Sequence, residues 1–393
     1  MTTSTTSHTT GWLSPAHCSM DDFRALVGQQ TDLADYPHAD AVERNVLIYG
    51  EKLRDAAGTP DGRTAAQTEL IRALTDGPGI VVFKQAFGDL SVVDRATEAF
   101  LAQIAAEKAA GTAAGDHFAK PGANDRVWGA LDKLALAAPA VFADYYANDV
   151  IALISEAWLG PDYQVTSQVN VVNPGGQAQT AHRDYHLGFM DAAASARFPA
   201  QVHRLSPALT LQGAVAHCDM PVETGPTLYL PHSQKYAHGY LAYWLPEFQE
   251  YFVANHVQLP LAKGDAVFFN PALFHAAGSN ATTDVRRMAN LLQVSSAFGR
   301  AMESVDRRRV VEAVYPALLA RKAAGMPFAR IGDVVAASAE GYAFPTNLDR
   351  DQPLNGMSPE TQSDIVRRAL GEAISVEELR KRIAAQVNRT LSH

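Results

Sequence analysis

The residues whose types and spacing best fit a chemical role are His182, Asp184 and His275. His182-Arg183-Asp184 follows Asn173-Pro174-Gly175-Gly176, a loop signal after an apolar stretch. On extended backbone, side chains two apart point to the same side, so one imidazole and one carboxylate face a common point. A third ligand has to come from elsewhere. His275 is the best candidate, because it follows Lys263-Gly264-Asp265 and the strand-like run Ala266-Val267-Phe268-Phe269. Two histidines and one carboxylate on one face of an octahedron leave three positions open, the arrangement with which non-haem Fe(II) takes O2 and a chelating co-substrate. An H-x-D pair alone arises by chance, with the histidine then a loop residue and the aspartate a turn residue. The ordered context of His275 favours the metal. Arg286 comes eleven residues after His275 and opens the apolar run 287–295.

These residues need a scaffold. The chain has 393 residues, 47% of them hydrophobic and 19% charged, enough for a sizeable core and against extensive disorder. Its formal net charge of -9 argues against a nucleic-acid-binding protein. Two cysteines, Cys18 and Cys218, are too few for a disulfide framework and fit a reducing compartment. No apolar run is long enough to span a bilayer, and the Thr/Ser-rich residues 1–10 lack the features of a secretory signal or transit peptide. The expectation is a cytoplasmic protein with a disordered tail over 1–10. A helical region is expected over 11–78, with helices over 41–56 and 64–75. A core follows over 79–300, beginning with a strand at 80–83 and a helix over 90–110, then a helix over 141–159. From about 163 short apolar or alternating runs are separated by Gly, Pro, Asn and Asp, which predicts a β-sandwich or barrel. Strands are expected at 164–172, 208–217, 227–230, 266–269 and 287–295. Residues 301–393 return to helix, with a capping box at Ser375/Glu378 and a loop over 341–357.

Taken together, the motifs resemble the phytanoyl-CoA hydroxylase family of Fe(II)/2-oxoglutarate-dependent dioxygenases. The resemblance rests on His182-Arg183-Asp184, Glu223-Thr224-Gly225-Pro226-Thr227-Leu228, Pro231-His232-Ser233, Gly264-Asp265 with Phe269, His275, Asn280 and Arg286-Arg287, and on the opening Gly79-Ile80-Val81-Val82-Phe83. It covers roughly residues 79–296. It implies an α+β fold, a double-stranded β-helix (jelly roll, cupin-like) core with flanking N- and C-terminal helices, and the iron in its mouth. It implies that His182, Asp184 and His275 bind Fe(II) and that Arg286 pairs with 2-oxoglutarate, since a planar guanidinium binds a carboxylate in bidentate fashion. Arg287 then faces the other side of the sheet, as a surface residue. Thr227 is a candidate hydroxyl donor to 2-oxoglutarate. Ala277 stands where the family often has Ser, so one hydrogen bond is missing and Ser279 or another group has to replace it. The implied reaction consumes O2 and 2-oxoglutarate, releases succinate and CO2, and oxidises an unactivated C–H bond, with hydroxylation favoured over desaturation, epoxidation or ring formation. Asp184 fills the position that is small in halogenating relatives, which favours oxygenation.

Gln168 and Asn170 alternate on the expected strand before the H-x-D turn, and His186 shares a side with Asp184 if the strand continues; all three are candidate substrate contacts, against bland readings as polar face or loop. His186 is no zincin ligand, because Arg183 stands where H-E-x-x-H needs Glu. His217, His232, His238 and His256 read as structural or surface residues, Lys120 as an exposed lysine and Cys218 as core. The expected substrate is a small metabolite, since no basic cluster suits a CoA phosphate. No nucleic-acid or membrane partner is expected, and a homo-oligomer is left open. The loop 341–357, with Tyr342 and Phe344, is expected to border the pocket or a subunit contact. Two rivals remain: a cupin-type metalloenzyme working without 2-oxoglutarate, as an isomerase or hydrolase, and a non-catalytic binding protein on the same scaffold.

Overall fold

The computed structural model describes residues 11–112, 122–186, 188, 190–353 and 356–393. The expected tail over 1–10 and Lys120 lie outside them. Ten strands form the framework: β1 Ala41–Glu43, β2 Val46–Tyr49, β3 Ile80–Phe83, β4 Asn124–Val127, β5 Gln164–Val172, β6 Thr210–Ala216, β7 Leu228–Leu230, β8 Ala266–Phe269, β9 Phe274–Ala276 and β10 Arg287–Ser295. Eight make one large sheet in the order β1-β2-β3-β8-β6-β10-β5-β4, and β7 pairs with β9 in a second. Single backbone bridges widen the small sheet on both sides, His182 to His275 and Tyr229 to Val257. From β5 onward the chain therefore passes back and forth between two facing sheets, which is the double-stranded β-helix. The fold is α+β, with this jelly roll as its core and helices at both ends of the chain.

Period-two alternation divides the large sheet into two chemically different faces. Val165, Val169 and Val171 of β5, Leu211 and Val215 of β6, and Met288, Leu292 and Val294 of β10 point outward into the main core. There they meet the helices Pro60–Thr75, Leu90–Ala109, Asp149–Leu159, Arg307–Ala323 and Phe328–Ser338. The intervening residues face the small sheet and build the site. The C-terminal helices belong to the same core: the hydroxyl of buried Tyr315 donates to the carbonyls of Ala369 and Ile374, at 2.9 and 3.0 Å.

Three expectations need correction. Residues 41–56 are not one helix. They form the β1–β2 hairpin and a short helix, Glu51–Ala57. Arg44 and Asn45 both take positive φ, 50° and 67°, the two-residue turn whose twist suits a hairpin. The β-branched and aromatic run Val46–Tyr49 is then buried along its whole length beside β3. The helix expected over 141–159 is two, Pro139–Tyr146 and Asp149–Leu159, because Asn148 caps the second. Its side-chain oxygen accepts from the N–H groups of Val150 and Ile151, while its amide donates to Ala86. At Ser375 only half of the capping box forms, the hydroxyl accepting from Glu378 N–H, and the reciprocal pair sits at Thr361 and Asp364.

Several motif residues are scaffold. Asp265 is buried. Its carboxylate accepts from the N–H groups of Gln85 and Ala262 and from the Lys84 ammonium, each at 2.9 Å, and so closes the turn into β8. Ser233 donates to Leu230 and accepts from Phe274 N–H at 2.8 Å, which ties the Pro-His-Ser segment to β9. No helix of the described residues is long and apolar enough to cross a membrane.

His217 is a buried hinge pin between the helical layer and the sheet. Its ring nitrogens meet Thr97 Oγ1 at 2.8 Å and Tyr145 OH at 2.9 Å, and burial pushes its pKa down to about 3. Unfolded, the ring titrates near 6.5. The stability it contributes is complete above about pH 6.5 and is lost as the pH falls towards 3. Melting temperatures from pH 7 to pH 4 test this. The parent protein is expected to lose stability more steeply than His217→Gln, and parallel pH profiles would refute the assignment.

Candidate metal centre and co-substrate cavity

His182 and His275 face one another across a reciprocal pair of backbone hydrogen bonds, His182 N–H to His275 O at 2.9 Å and His275 N–H to His182 O at 3.1 Å. Directly opposed residues in an antiparallel pair project to the same side. Their imidazoles accordingly lie 4.4 Å apart between centroids. Asp184, two residues on, is fixed by its N–H to the Pro271 carbonyl and turns its carboxylate to both rings, 3.7 Å from His182 Nε2 and 3.8 Å from His275 Nε2. One ligand atom from each of the three lies within 4.8 Å of the others.

The donor set fits a divalent metal in a further respect. His182 Nδ1 lies 3.0 Å from the Thr180 carbonyl and His275 Nδ1 lies 2.9 Å from that of Leu273. A carbonyl accepts only, so each Nδ1 carries the proton and each Nε2 offers a lone pair. Burial, reinforced by His182, lowers the pKa of His275 and keeps it neutral, as a ligand must be. The Asp184 carboxylate is oriented in turn by the side-chain amide of Gln212, which donates to Oδ2.

A cavity runs into the barrel next to His275, whose cross-strand partner Tyr229 lines it together with Val82, Ala214, Met220, Thr227, Leu259, Leu261 and Arg287 among others. Arg286 is not there. It lies one residue before β10, half its side chain is exposed, and it pairs with Asp125 at 2.9 Å. Arg287 has 8% exposure and lies on the inward face with Ala289 and Leu291. This corrects the expectation: the two arginines do face opposite sides, but strand parity sends Arg287 inward. Its nearest polar contacts are the carbonyls of Thr224 and Gly278, at 3.4 and 3.5 Å. No ion-pair partner is recorded for Arg287 among the described residues, and burial lowers its pKa to about 10. A buried guanidinium without an anion is costly, and the cavity it faces is where an anion would relieve that cost.

Thr227 and Asn170 also line the cavity, and Asn170 accepts from Asn124 at 3.2 Å. Gln168 is buried with both ends occupied, accepting from Arg126 and donating to Met302 Sδ at 3.3 Å. It is a wall residue rather than an open contact. His186 leaves the strand in a turn with φ 41° and holds Thr210 Oγ1 at 2.9 Å through Nδ1. Ser279 does not supply the hydroxyl missing at Ala277: it is exposed, away from the residues that line the cavity, and its Oγ accepts from Ala178 N–H at 2.8 Å. Tyr229 was not singled out from sequence. It is the cross-strand partner of His275, lines the cavity and shares a hydrogen bond with Thr227. Gln212 was missed as well. Both carry an ordinary residue type, and only the strand pairing reveals their neighbours.

The phytanoyl-CoA dioxygenase (PhyH) family model matches residues 75–288, more than half of the chain. No curated protein sequence matches the chain. Among solved structures, the non-haem alpha-ketoglutarate-dependent epimerase SnoN from nogalamycin biosynthesis is 20% identical with a TM-score of 0.41, covering 60% of this chain and 84% of that one. The non-haem alpha-ketoglutarate-dependent carbocyclase SnoK from the same biosynthesis is 20% identical with a TM-score of 0.43, covering 61% and 87%. AviO1 from Streptomyces viridochromogenes Tue57 is 16% identical with a TM-score of 0.43, covering 60% and 97%. On the strength of the family match, the chain belongs to the phytanoyl-CoA dioxygenase family and is a non-haem iron, 2-oxoglutarate-dependent oxygenase.

Proposed function

We propose that the protein hydroxylates an unactivated C–H bond of a small-molecule metabolite, with release of succinate and CO2. The observation that carries this reading is the His182–Asp184–His275 cluster beside a cavity lined by Arg287, a buried cation with no ion-pair partner among the described residues. Bound iron would supply the oxidising chemistry with O2 and 2-oxoglutarate. The protein's own residues do the rest. His182 and His275 offer neutral Nε2 atoms, and Asp184 adds a charge that Gln212 keeps in place. Arg287 pairs with the distal carboxylate of 2-oxoglutarate. The hydroxyls of Thr227 and Tyr229 stand beside it, and Tyr229 takes the part of the serine that Ala277 replaces. The apolar walls Val82, Leu259 and Leu261 exclude water from that carboxylate and strengthen its pairing.

An anaerobic titration tests the assignment. Fe(II) and then 2-oxoglutarate added to metal-free protein should produce the weak visible charge-transfer band of the chelate. His275→Ala should abolish it by removing a ligand. Arg287→Gln should weaken 2-oxoglutarate binding by about 100-fold, the scale of breaking a buried charge pair. Arg286→Gln, at an exposed ion pair, should change it less than about threefold. If Arg286→Gln weakens binding and Arg287→Gln does not, the arginine assignment is wrong. A protein that binds metal tightly yet never forms the band is instead the 2-oxoglutarate-independent cupin.

The C-terminal loop contacts the segment that packs on His186. Tyr342 packs edge-on against Phe298 at 5.4 Å, and Phe298 precedes Gly299, which lies against the His186 ring. Tyr342→Ala should alter substrate-stimulated succinate release while metal affinity stays the same; unchanged turnover would remove the loop from the site.

A further inference from the structure

The inner face of the large sheet changes character on either side of the metal site. On β6 and β10 its inward neighbours around Arg287 are apolar: Ala214, Ala216, Ala289 and Leu291. In the other direction along β6 and β10 the inward residues are polar. Cross-strand pairing sets Gln212 opposite Gln293 and Gln293 opposite Thr166, with Thr210 opposite Ser295 in the next rank. Directly opposed side chains share a face, so Gln212, Gln293, Thr210 and Ser295 form one strip. Part of it is already committed. Thr210 binds His186 through its hydroxyl. Gln212 gives its amide N–H to Asp184, and a carboxylate can only accept, which fixes the amide orientation and leaves Oε1 as a free acceptor.

Among the described residues, three buried atoms on this strip have no hydrogen-bond partner: Gln212 Oε1, Gln293 Oε1 and Ser295 Oγ. Gln212 and Ser295 are themselves buried, with 6% and 1% exposure. Buried polar atoms are normally satisfied, and leaving one unmade costs free energy. Two of the three are amide oxygens, so what they lack is a donor. They adjoin the candidate metal centre through Gln212, whose amide holds Asp184.

We infer that this strip is the substrate-recognition surface, and that the substrate is a small molecule carrying hydroxyl, amine or amide N–H donors close to the oxidised carbon. An acyl chain like that in the family's name would leave all three atoms unsatisfied. The inference rests on the function proposed above and names the substrate class for the same site.

The test uses the full chain with Fe(II) and 2-oxoglutarate, anaerobically, reading perturbation of the charge-transfer band. One probe set is medium- and long-chain fatty acids and their CoA thioesters. The other is amino acids, their amides, amino sugars and polyols. Members of the donor-bearing set should perturb the band. Gln293→Leu should weaken that response about tenfold. A second variant, Ser295→Ala, should weaken it in the same direction and removes only one atom, so it serves if Gln293→Leu does not fold. A response to the acyl set alone, to neither set, or to donor-bearing molecules with both variants indistinguishable from the parent overturns the inference. Failure of the band to form without any probe would instead overturn the proposed function, so the two failures are separable.

Discussion

Two hydrogen bonds between the backbones of His182 and His275 hold the site together. They set the histidines directly opposite in register and project both imidazoles inward, and they bring Asp184 within reach two residues later. Everything else that positions the metal acts by supporting this pair. β9 is anchored by Ser233, β8 before it by Asp265, and the segment after β9 by Asn280, which donates to the carbonyls of Val172 and Val285 at 3.1 and 2.8 Å. None of these residues touches the metal ligands' side chains. They belong to the sequence motifs because the backbone pairing needs them.

The barrel assigns separate chemistry to each half of its interior. A guanidinium in an apolar cavity suits one carboxylate, whereas a strip of amides suits a molecule rich in donors. Gln212 joins the two halves, since one end of its amide holds Asp184 and the other faces the strip. A molecule bound to that strip would thereby press on the residue that orients Asp184, the carboxylate of the candidate metal centre. This geometry offers a direct path from substrate occupancy to the metal.

Much of this was legible in the residues alone. The strands 164–172, 266–269 and 287–295 match observed elements because each is a long or fully apolar run bounded by turn residues. The three candidate ligands stand out because of their residue types and their distinctive order. The failures have local causes. Val42, Val46, Tyr49 and Leu53 are spaced as a helix would space them, and only the positive φ of Arg44 and Asn45 turns the segment into a hairpin. Arg286 and Arg287 are adjacent, so their inward and outward assignments depend on a parity that pairing with β5 and β6 decides. Gln212 and Tyr229 take their roles wholly from cross-strand neighbours far away in sequence.

The order of the large sheet has a consequence for handling the protein. Its long strands, β5, β6 and β10, lie in the interior, each paired on both sides. The two margins are held by β1 and β4, three and four residues long and carrying Glu43, Asp125 and Arg126. Short, charged margins are poor templates for pairing with another chain. The folded protein thus keeps its β-rich segments from self-association, and precipitation should track the fraction unfolded, so that conditions which slow unfolding also preserve solubility.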